Sequence, residues 1–353
     1  MKILITGGAG FVGSNLAIKL KQKYTGYDFI CFDNLKRSGS ELNLPRIKAE
    51  GIQFIHGDVR NAEDLSSIPA FDILIDACAE PSVLAGVNSS VEQVINSNLI
   101  GTFHCLELAK KYNASFVFLS TSRVYPITLL NDAKFTETEN RFSWSENQSI
   151  SGISSRGVNE QFPLHGSRSF YGFTKYASEQ LIAEYNYYFN MNTVINRCGV
   201  IAGPWQMGKV DQGVLVFWLA QHFWKNKLKY IGFGGAGKQV RDILYIDDLV
   251  ELIDYEIHHI KSLSGSLYNV GGGIESSVSL RELTELCSQV TGNKIDIEKS
   301  NESRPGDIRI YITDNSKVIN ETGWKPSHNS KDIVAKTFEW IKANNALLKN
   351  ILS

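Results

Sequence analysis

The first thirteen residues, MKILITGGAGFVG, constrain the fold more than any other stretch of the chain. Residues 3–5 form a short apolar run typical of a buried parallel strand, and an apolar helical pattern begins at Phe11. Between them, Gly7 allows a sharp turn, Gly10 lets backbone approach a pyrophosphate, and Gly13 lets helix and strand pack closely. The helix N-terminus offers N–H groups and the positive end of its dipole to phosphates. The stretch therefore predicts a dinucleotide-binding loop.

A second apolar run supports this interpretation. Residues 29–32 read as a strand that ends in Asp33, about 20 residues beyond the loop, where an acid that binds ribose hydroxyls is expected. Its carboxylate would repel a 2′-phosphate, so we expect NAD to be preferred over NADP, although Lys36 and Arg37 nearby could offset that repulsion.

Length and composition indicate an ordinary globular protein. The 353 residues include 43% hydrophobic and 21% charged residues, and 36 basic side chains balance 37 acidic ones. We therefore expect no recruitment to nucleic acid or membrane lipid. No run approaches the roughly 20 apolar residues of a transmembrane helix, and we expect no signal peptide. The five cysteines are scattered, so reduced, mostly buried thiols in a cytoplasmic protein are expected, with no disulfide and no metal site.

Strand and helix patterns then alternate along the chain. Strand candidates at 53–56, 73–76 and 116–120, separated by helical patterns such as 91–112, predict an α/β fold with a doubly wound parallel sheet of the Rossmann type. Ligands of such sheets bind at the carboxyl ends of the strands. The contacts expected there with the cofactor come from the loop and the strand ends: Gly7, Gly10, Phe11, Val12, Gly13, Asp33, Asn34, Asp58, Val59, Ala77 and Ala79.

The predicted domain organisation is interleaved. Residues 1–196, with roughly 241–260, form the dinucleotide-binding domain, and residues 197–240 and 261–345 form a smaller C-terminal substrate-binding region. Its helices are expected near 214–225, 279–291 and 333–344, with one more near 247–260. The stretch from 125 to 169 is polar and irregular, so it is either a lid or substrate loop or a flexible surface insertion.

Three residues carry the predicted chemistry. Tyr171 and Lys175 lie four residues apart at the start of a strong helical pattern, so both project from one helix face. The lysine ammonium, with the positive ring of an oxidised nicotinamide, should favour the phenolate and make Tyr171 a base near neutral pH. Thr121, at the end of a predicted strand, can hydrogen-bond the hydroxyl that is oxidised.

The chain resembles the extended short-chain dehydrogenase/reductases, in particular their nucleotide-sugar epimerases. The segments TGGAGFVGSNL, FDNL, HGDVRN, STSRVY, YGFTK, GKQVRDILYIDDL and YNVGGG follow the family's order. The resemblance implies Thr121, Tyr171 and Lys175 as the catalytic residues and Tyr171 and Lys175 as cofactor contacts. It also implies that Asn98 orders the active-site helix and cofactor. A homodimer built through two helices, or a homotetramer, is implied as well.

A nucleotide-diphosphate sugar is the expected substrate. Arg241 and Arg304 can each bind a phosphate through two parallel hydrogen bonds, although each could equally form a surface salt bridge. Gln239 could reach a base or ribose. The full set of expected substrate contacts is Glu80, Arg123, Gln212, Gln239, Arg241 and Arg304.

The expected reaction is a redox-neutral epimerisation through a keto sugar with tightly held NAD. The segments 211–213, 238–242 and 304–309 are most similar to family members that epimerise C2 of a CDP-linked sugar, enzymes of polysaccharide biosynthesis. A nucleotide-sugar reductase or dehydrogenase, a 4-epimerase and a catalytically silent NAD-binding sensor remain alternatives. A 4,6-dehydratase is disfavoured because Ser122 and Arg123, rather than carboxylates, follow Thr121.

Overall fold

The computed structural model describes residues 1–87, 89–209, 212–300, 302 and 305–352. Its strands are β1 (Lys2–Thr6), β2 (Asp28–Asp33), β3 (Gln53–His56), β4 (Ile73–Asp76), β5 (Ser115–Thr121), β6 (Phe135–Glu137), β7 (Phe142–Trp144), β8 (Ile153–Ser154), β9 (Gly157–Val158), β10 (Thr193–Cys198), β11 (Val200–Ala202), β12 (Leu228–Tyr230), β13 (Val240–Tyr245), β14 (Ser266–Val270), β15 (Ser277–Ser279), β16 (Ile297–Lys299) and β17 (Ile310–Tyr311). Its α-helices are α1 (Phe11–Lys23), α2 (Leu44–Ala49), α3 (Ala62–Ser66), α4 (Val91–Ile95), α5 (Gly101–Lys111), α6 (Ile127–Asp132), α7 (Phe170–Phe189), α8 (Val214–Trp224), α9 (Ile246–His259), α10 (Leu280–Thr291), α11 (Ser316–Thr322), α12 (Ser330–Ala343) and α13 (Asn345–Leu352).

Seven strands form one sheet in the order β14-β10-β5-β4-β1-β2-β3. β1 pairs in parallel with β2 on one side and β4 on the other, and the pairs β2–β3 and β4–β5 are parallel too. The chain builds outward from β1 to β3 and then returns to place β4 on the other side of β1. This reversal is the point at which doubly wound sheets bind ligands. The structure confirms the predicted doubly wound α/β fold.

The helix predicted across 91–112 is interrupted. A π-helical turn, Asn96–Ile100, separates α4 from α5. Such turns place an extra residue in the helix and are frequent at functional sites. Here the turn carries Asn98, whose side chain is fully buried.

The chain divides into two compact units. The first unit consists of residues 1–124, 169–197 and 250–268, and the second of residues 125–168, 198–249 and 269–353. This division differs from the predicted one chiefly at 125–168, which the sequence analysis assigned to the dinucleotide-binding domain.

The 125–168 segment is a packed part of the second unit. It contains α6 and the two short hairpins β6–β7 and β8–β9. The N–H of Val158 donates to the carbonyl of Ile312, and Asn269 donates from Nδ2 to the carbonyl of Val158. A Cβ on Gly157 would lie only 2.4 Å from the Ile312 carbonyl oxygen, so the backbone approaches closely there. These contacts pack the hairpin β8–β9 against other parts of the second unit.

The remaining expectations concern thiols and membrane segments. All five cysteines are free thiols, and four of them are buried while Cys78 is partly exposed. Within the described ranges, no helix has both the length and the apolar character needed to cross a bilayer.

Candidate active site

The glycine loop lies at the carboxyl end of β1. Gly7 has φ +64°, and a Cβ there would lie 2.8 Å from the carbonyl oxygen of Ala77, in the segment after β4. A Cβ on Gly13 would lie 2.3 Å from the carbonyl oxygen of Gly7. Both positions therefore require glycine. Gly10 is the N-cap of α1 and has no side chain to cap the helix, so the N–H groups of the first turn, which begins with Phe11 and Val12, face outward from the loop.

Asp33 lies beside this loop. Its carboxylate accepts hydrogen bonds from the backbone N–H of Ala9, at 3.1 Å, and of Leu35, at 2.8 Å. Burial raises the pKa of the Asp33 carboxyl, and these backbone N–H groups oppose that rise. The acid predicted to bind ribose is therefore fixed next to the turn predicted to bind pyrophosphate.

Asp58 and Val59 follow β3 as predicted, but the two side chains differ in environment: Asp58 is hydrogen-bonded to polar groups, whereas Val59 lies in the hydrophobic core. Arg60 donates from Nε and Nη2 to the Asp58 carboxylate, and Asn34 donates to it from Nδ2 at 2.8 Å. Burial opposes ionisation of Asp58, but these hydrogen bonds outweigh it and lower its pKa to about 2. The side chain of Val59 is buried in the core, where it packs against Gly101.

Asn98 connects the segment after β4 to α7. Its Oδ1 accepts from the Glu80 N–H at 2.7 Å, and its Nδ2 donates to the Glu80 carbonyl and to Oγ1 of Thr174. Ser178 donates from Oγ to the Asn98 carbonyl. Ala77 and Ala79 lie in the segment that this amide holds, and both are partly exposed.

The helix that carries Tyr171 begins directly against the end of β5. Ser169 caps α7 by accepting a hydrogen bond from the N–H of Gly172. A Cβ on Gly172 would lie 2.1 Å from the carbonyl oxygen of Arg123, in the turn that follows β5. This contact brings the first turn of α7, with Tyr171, to the strand end that carries Thr121.

Lys175 is 1% exposed, and its Nζ lies 3.8 Å from the centroid of the Phe118 ring in β5. Thr121 is also buried, and its Oγ1 accepts from the backbone N–H of Arg123 at 3.2 Å. The three residues predicted to be catalytic thus belong to two elements, α7 and β5, that are packed together. An ammonium above an aromatic face is attracted by the negative face of the ring, so Phe118 helps to hold the Lys175 side chain in place.

A buried ion pair in the same unit was not predicted. Arg197 donates from Nε and Nη2 to the Glu179 carboxylate at 3.0 and 2.7 Å, and Ser120 donates to the same carboxylate from Oγ. The side chains of Arg197 and Glu179 are 3% and 1% exposed. Two signals could have pointed to this pair: Glu179 follows Lys175 by four residues, and Arg197 is the charged residue of β10, whose other side chains are uncharged.

The predicted substrate contacts of the second unit are partly engaged with neighbouring groups. Arg241 pairs with Asp307 at 3.3 Å and donates to the Ile308 carbonyl. Gln239 donates from Nε2 to the Ile231 carbonyl at 2.7 Å. The backbone of Gln212 bridges to Lys209, and Arg304 lies outside the described residues.

The chain matches the model of the family described as "NAD dependent epimerase/dehydratase family" over residues 3–271. The chain belongs to this family. It is an enzyme of the epimerase type, and its cofactor is NAD. The glycine loop, the adjacent Asp33 and the uncapped start of α1 fit a dinucleotide, since N–H groups at a helix start without a side-chain cap can bind phosphate.

Similar proteins span nearly the whole chain. CDP-paratose 2-epimerase from Salmonella typhi is 34% identical over 351 residues, which cover 96% of this chain and 99% of that protein. The X-ray structure of Pal from Bacillus thuringiensis has a TM-score of 0.80 at 27% identity and covers 97% of this chain and 99% of Pal. The crystal structure of dTDP-glucose 4,6-dehydratase from Bacillus anthracis in complex with NAD has a TM-score of 0.78 at 25% identity, with 99% of each chain covered.

Proposed function

We propose that this enzyme epimerises C2 of a CDP-linked 3,6-dideoxyhexose and interconverts CDP-paratose and CDP-tyvelose. The observation that carries the proposal is the 34% identity to a CDP-paratose 2-epimerase along essentially its full length. The packing of α7 against the end of β5 supports it, since this packing unites the residues that such a reaction requires.

Each catalytic residue has a defined role in this proposal. Tyr171 removes the proton of the C2 hydroxyl and returns it when the sugar is reduced again. Lys175, buried one helical turn away, favours the phenolate form of Tyr171. Thr121 hydrogen-bonds the same hydroxyl and fixes its direction. When bound, NAD would supply a reversible acceptor for the hydride that leaves C2.

The other predicted residues keep their proposed roles within each unit. In the second unit, Asp307 and the Ile308 carbonyl fix the direction of the Arg241 guanidinium, which we assign to the diphosphate together with Arg304. Gln212, Gln239, Glu80 and Arg123 remain proposed substrate contacts. Asp33, Asn34, Asp58, Val59, Ala77, Ala79 and Asn98 remain proposed cofactor contacts.

An isotope experiment tests the reaction. The hydrogen on C2 of such a sugar is not acidic because no carbonyl lies next to it, so Tyr171 can remove only the O–H proton. We therefore expect that CDP-paratose or CDP-tyvelose incubated in D₂O yields the other epimer without deuterium at C2. Slight labelling at C3 is compatible, since a 2-keto sugar can enolise. Full labelling at C2 would exclude this mechanism.

The same assay distinguishes the alternatives. A reductase or dehydrogenase would change the redox state of the sugar and consume cofactor, and a 4-epimerase would invert C4 and leave the configuration at C2 unchanged. A dehydratase would release a product lighter by one water. Ser122 and Arg123 do not supply the carboxylate next to Thr121 that we expect for that elimination.

We propose a homodimer as the assembly. Several large apolar side chains of the first unit are exposed on or beside α5 and α7, namely Ile100, Phe103, Phe170, Phe173, Tyr187, Tyr188 and Phe189. Exposed apolar side chains on two adjacent helices are typical of a protein interface. A second copy that presents the same helices would cover them through a symmetric contact.

A further inference from the structure

The Glu179–Arg197 pair lies on the same elements as the proposed catalytic residues. Glu179 follows Lys175 by one turn of α7 and Tyr171 by two turns, so the three side chains share a helix face. Its carboxylate accepts from Ser120, which directly precedes Thr121 in β5, and from Arg197 near the end of β10. One carboxylate therefore joins α7 to the ends of two strands.

The charges of this pair matter because both groups are buried. A guanidinium stays protonated in proteins, so Arg197 would contribute a full positive charge if Glu179 did not neutralise it. An isolated buried charge acts over many ångströms, since little solvent screens it. Tyr171 lies about 12 Å from Glu179 along the helix axis, and the Arg197 guanidinium is hydrogen-bonded to the Glu179 carboxylate, so we expect its charge to act on Tyr171 from a similar distance.

We propose that Glu179 is a positioning residue: it holds β5 and β10 against α7 and cancels the charge of Arg197, so that Arg197 adds no net positive charge to that of Lys175 near Tyr171. The inference rests on the proposed role of Tyr171 as the base. It assigns no contact with substrate to Glu179 or Arg197.

Other ionisable groups face the same region from the packed elements. Cys78, after β4, and Cys105, in α5, are close enough to Lys175 to interact with it electrostatically. Burial raises the pKa of both thiols, so both are neutral at physiological pH. Asp76, at the end of β4, accepts from Thr6 and Thr102, and Arg123 lies in the turn after β5. All of these stay the same in the variants below, so their effects cancel in the comparison.

The test compares Glu179→Gln with the double variant Glu179→Gln/Arg197→Met. Glutamine retains an oxygen that can accept from Ser120 but leaves the Arg197 charge uncompensated. We expect the acidic limb of the kcat/KM pH profile to move down by about one pH unit in the single variant. The double variant removes the excess charge, so the acidic limb of its kcat/KM profile should lie within a few tenths of a pH unit of the wild-type limb.

A direct titration supplies the second measurement. The phenolate absorbance of the cofactor-loaded protein, minus that of the same protein with Tyr171→Phe, isolates the ionisation of Tyr171 without substrate. We expect the Tyr171 titration to shift to lower pH in Glu179→Gln and to return to its wild-type position in Glu179→Gln/Arg197→Met. Glu184→Gln, the same change at an exposed position of α7, should shift neither curve.

The outcomes separate this inference from the proposed reaction. A lower kcat in both variants with no shift in either curve would reduce the pair to a structural role and overturn the proposal. A reversible shift of the Tyr171 titration in a protein that does not convert CDP-paratose would support the inference and reject the proposed substrate. A shift of kcat/KM without one in the Tyr171 titration would assign the base to another residue and also overturn it.

Discussion

Tyr171 lies in the first turn of α7, one turn before the buried Lys175. Tyr171→Phe removes one hydroxyl and keeps the ring, so we expect an unchanged fold and cofactor content with turnover lower by about 10²–10⁴-fold. Steady-state rates, together with the dinucleotide released on denaturation, check this. Activity within a few-fold of wild type would place the base elsewhere.

Asp33 sets the cofactor preference through its charge. The backbone N–H groups of Ala9 and Leu35 hold its carboxylate beside the glycine loop, where a 2′-phosphate would be repelled. Calorimetry should show tighter binding of NAD than of NADP, with a smaller difference in Asp33→Ser. Asp28→Ser, at the exposed opposite end of β2, is the matched control and should leave the ratio unchanged. Tighter binding of NADP to the wild type would refute the assignment.

Glu256 gives the stability a predictable pH dependence. It is fully buried in α9, and its Oε2 accepts from Nδ2 of Asn196 at 2.8 Å. Among the described residues, Oε1 of Glu256 and Oδ1 of Asn196 have no hydrogen-bond partner. Burial raises the pKa of Glu256 to about 8, so the protonated acid predominates at neutral pH and can donate back to the amide.

The sign of this effect follows from proton binding. The folded protein holds the Glu256 proton more tightly than the unfolded chain does, so the stability it contributes is present at pH 4.5 and is lost as pH rises through about 8. Each unit of difference between the folded and unfolded pKa of Glu256 corresponds to about 1.4 kcal/mol, so the free energy of unfolding falls by a few kcal/mol over this pH range. Urea unfolding at several pH values should show a flatter dependence for Glu256→Gln than for wild type. Parallel curves would contradict a buried, protonated Glu256.

At the scale of elements, the contact between α7 and the turn after β5 positions the site. A methyl group on Gly172 would lie 2.1 Å from the Arg123 carbonyl oxygen, so Gly172→Ala must push the first turn of α7 away from β5. We expect a loss of stability of about 1–3 kcal/mol and a larger proportional loss of kcat, because Tyr171 moves relative to Thr121.

Gly26→Ala is the matched control for this prediction. A Cβ at Gly26 meets nothing within 4 Å, so stability should change by no more than about 0.5 kcal/mol. If Gly172→Ala retained full activity and stability, α7 would not depend on this approach for its position.

At the scale of the whole molecule, the exposed apolar side chains of α5 and α7 predict the assembly. Phe103→Glu places a charge among them, and we expect light scattering coupled to gel filtration to show dimers for wild type and monomers for this variant. Ile274→Glu changes an apolar residue that is 50% exposed in the second unit and should leave the dimer intact. A monomeric wild type would reject the proposal.

The parallel sheet and the cofactor loop are predictable from the amino-acid sequence alone. Both depend on short-range rules: apolar runs predict buried strands, and Gly7 and Gly13 lie where a Cβ would collide with backbone. The strands predicted at 53–56 and 73–76 begin and end at those residues. Family membership follows from the same local motifs, which the match over residues 3–271 confirms.

Features that depend on residues far apart in the chain are visible only in the folded protein. The π-helical turn at Asn98 interrupts a continuous helical pattern. The side-chain amide of Asn98 forms hydrogen bonds with Glu80 and Thr174. Local hydrophobic periodicity cannot predict hydrogen bonds to partners so far away in the sequence. The assignment of residues 125–168 to the second unit depends on hydrogen bonds to segments more than 100 residues away. Glu179 and Arg197 each resemble an ordinary charged residue in the sequence, and burying them is tolerated only because the fold brings them together.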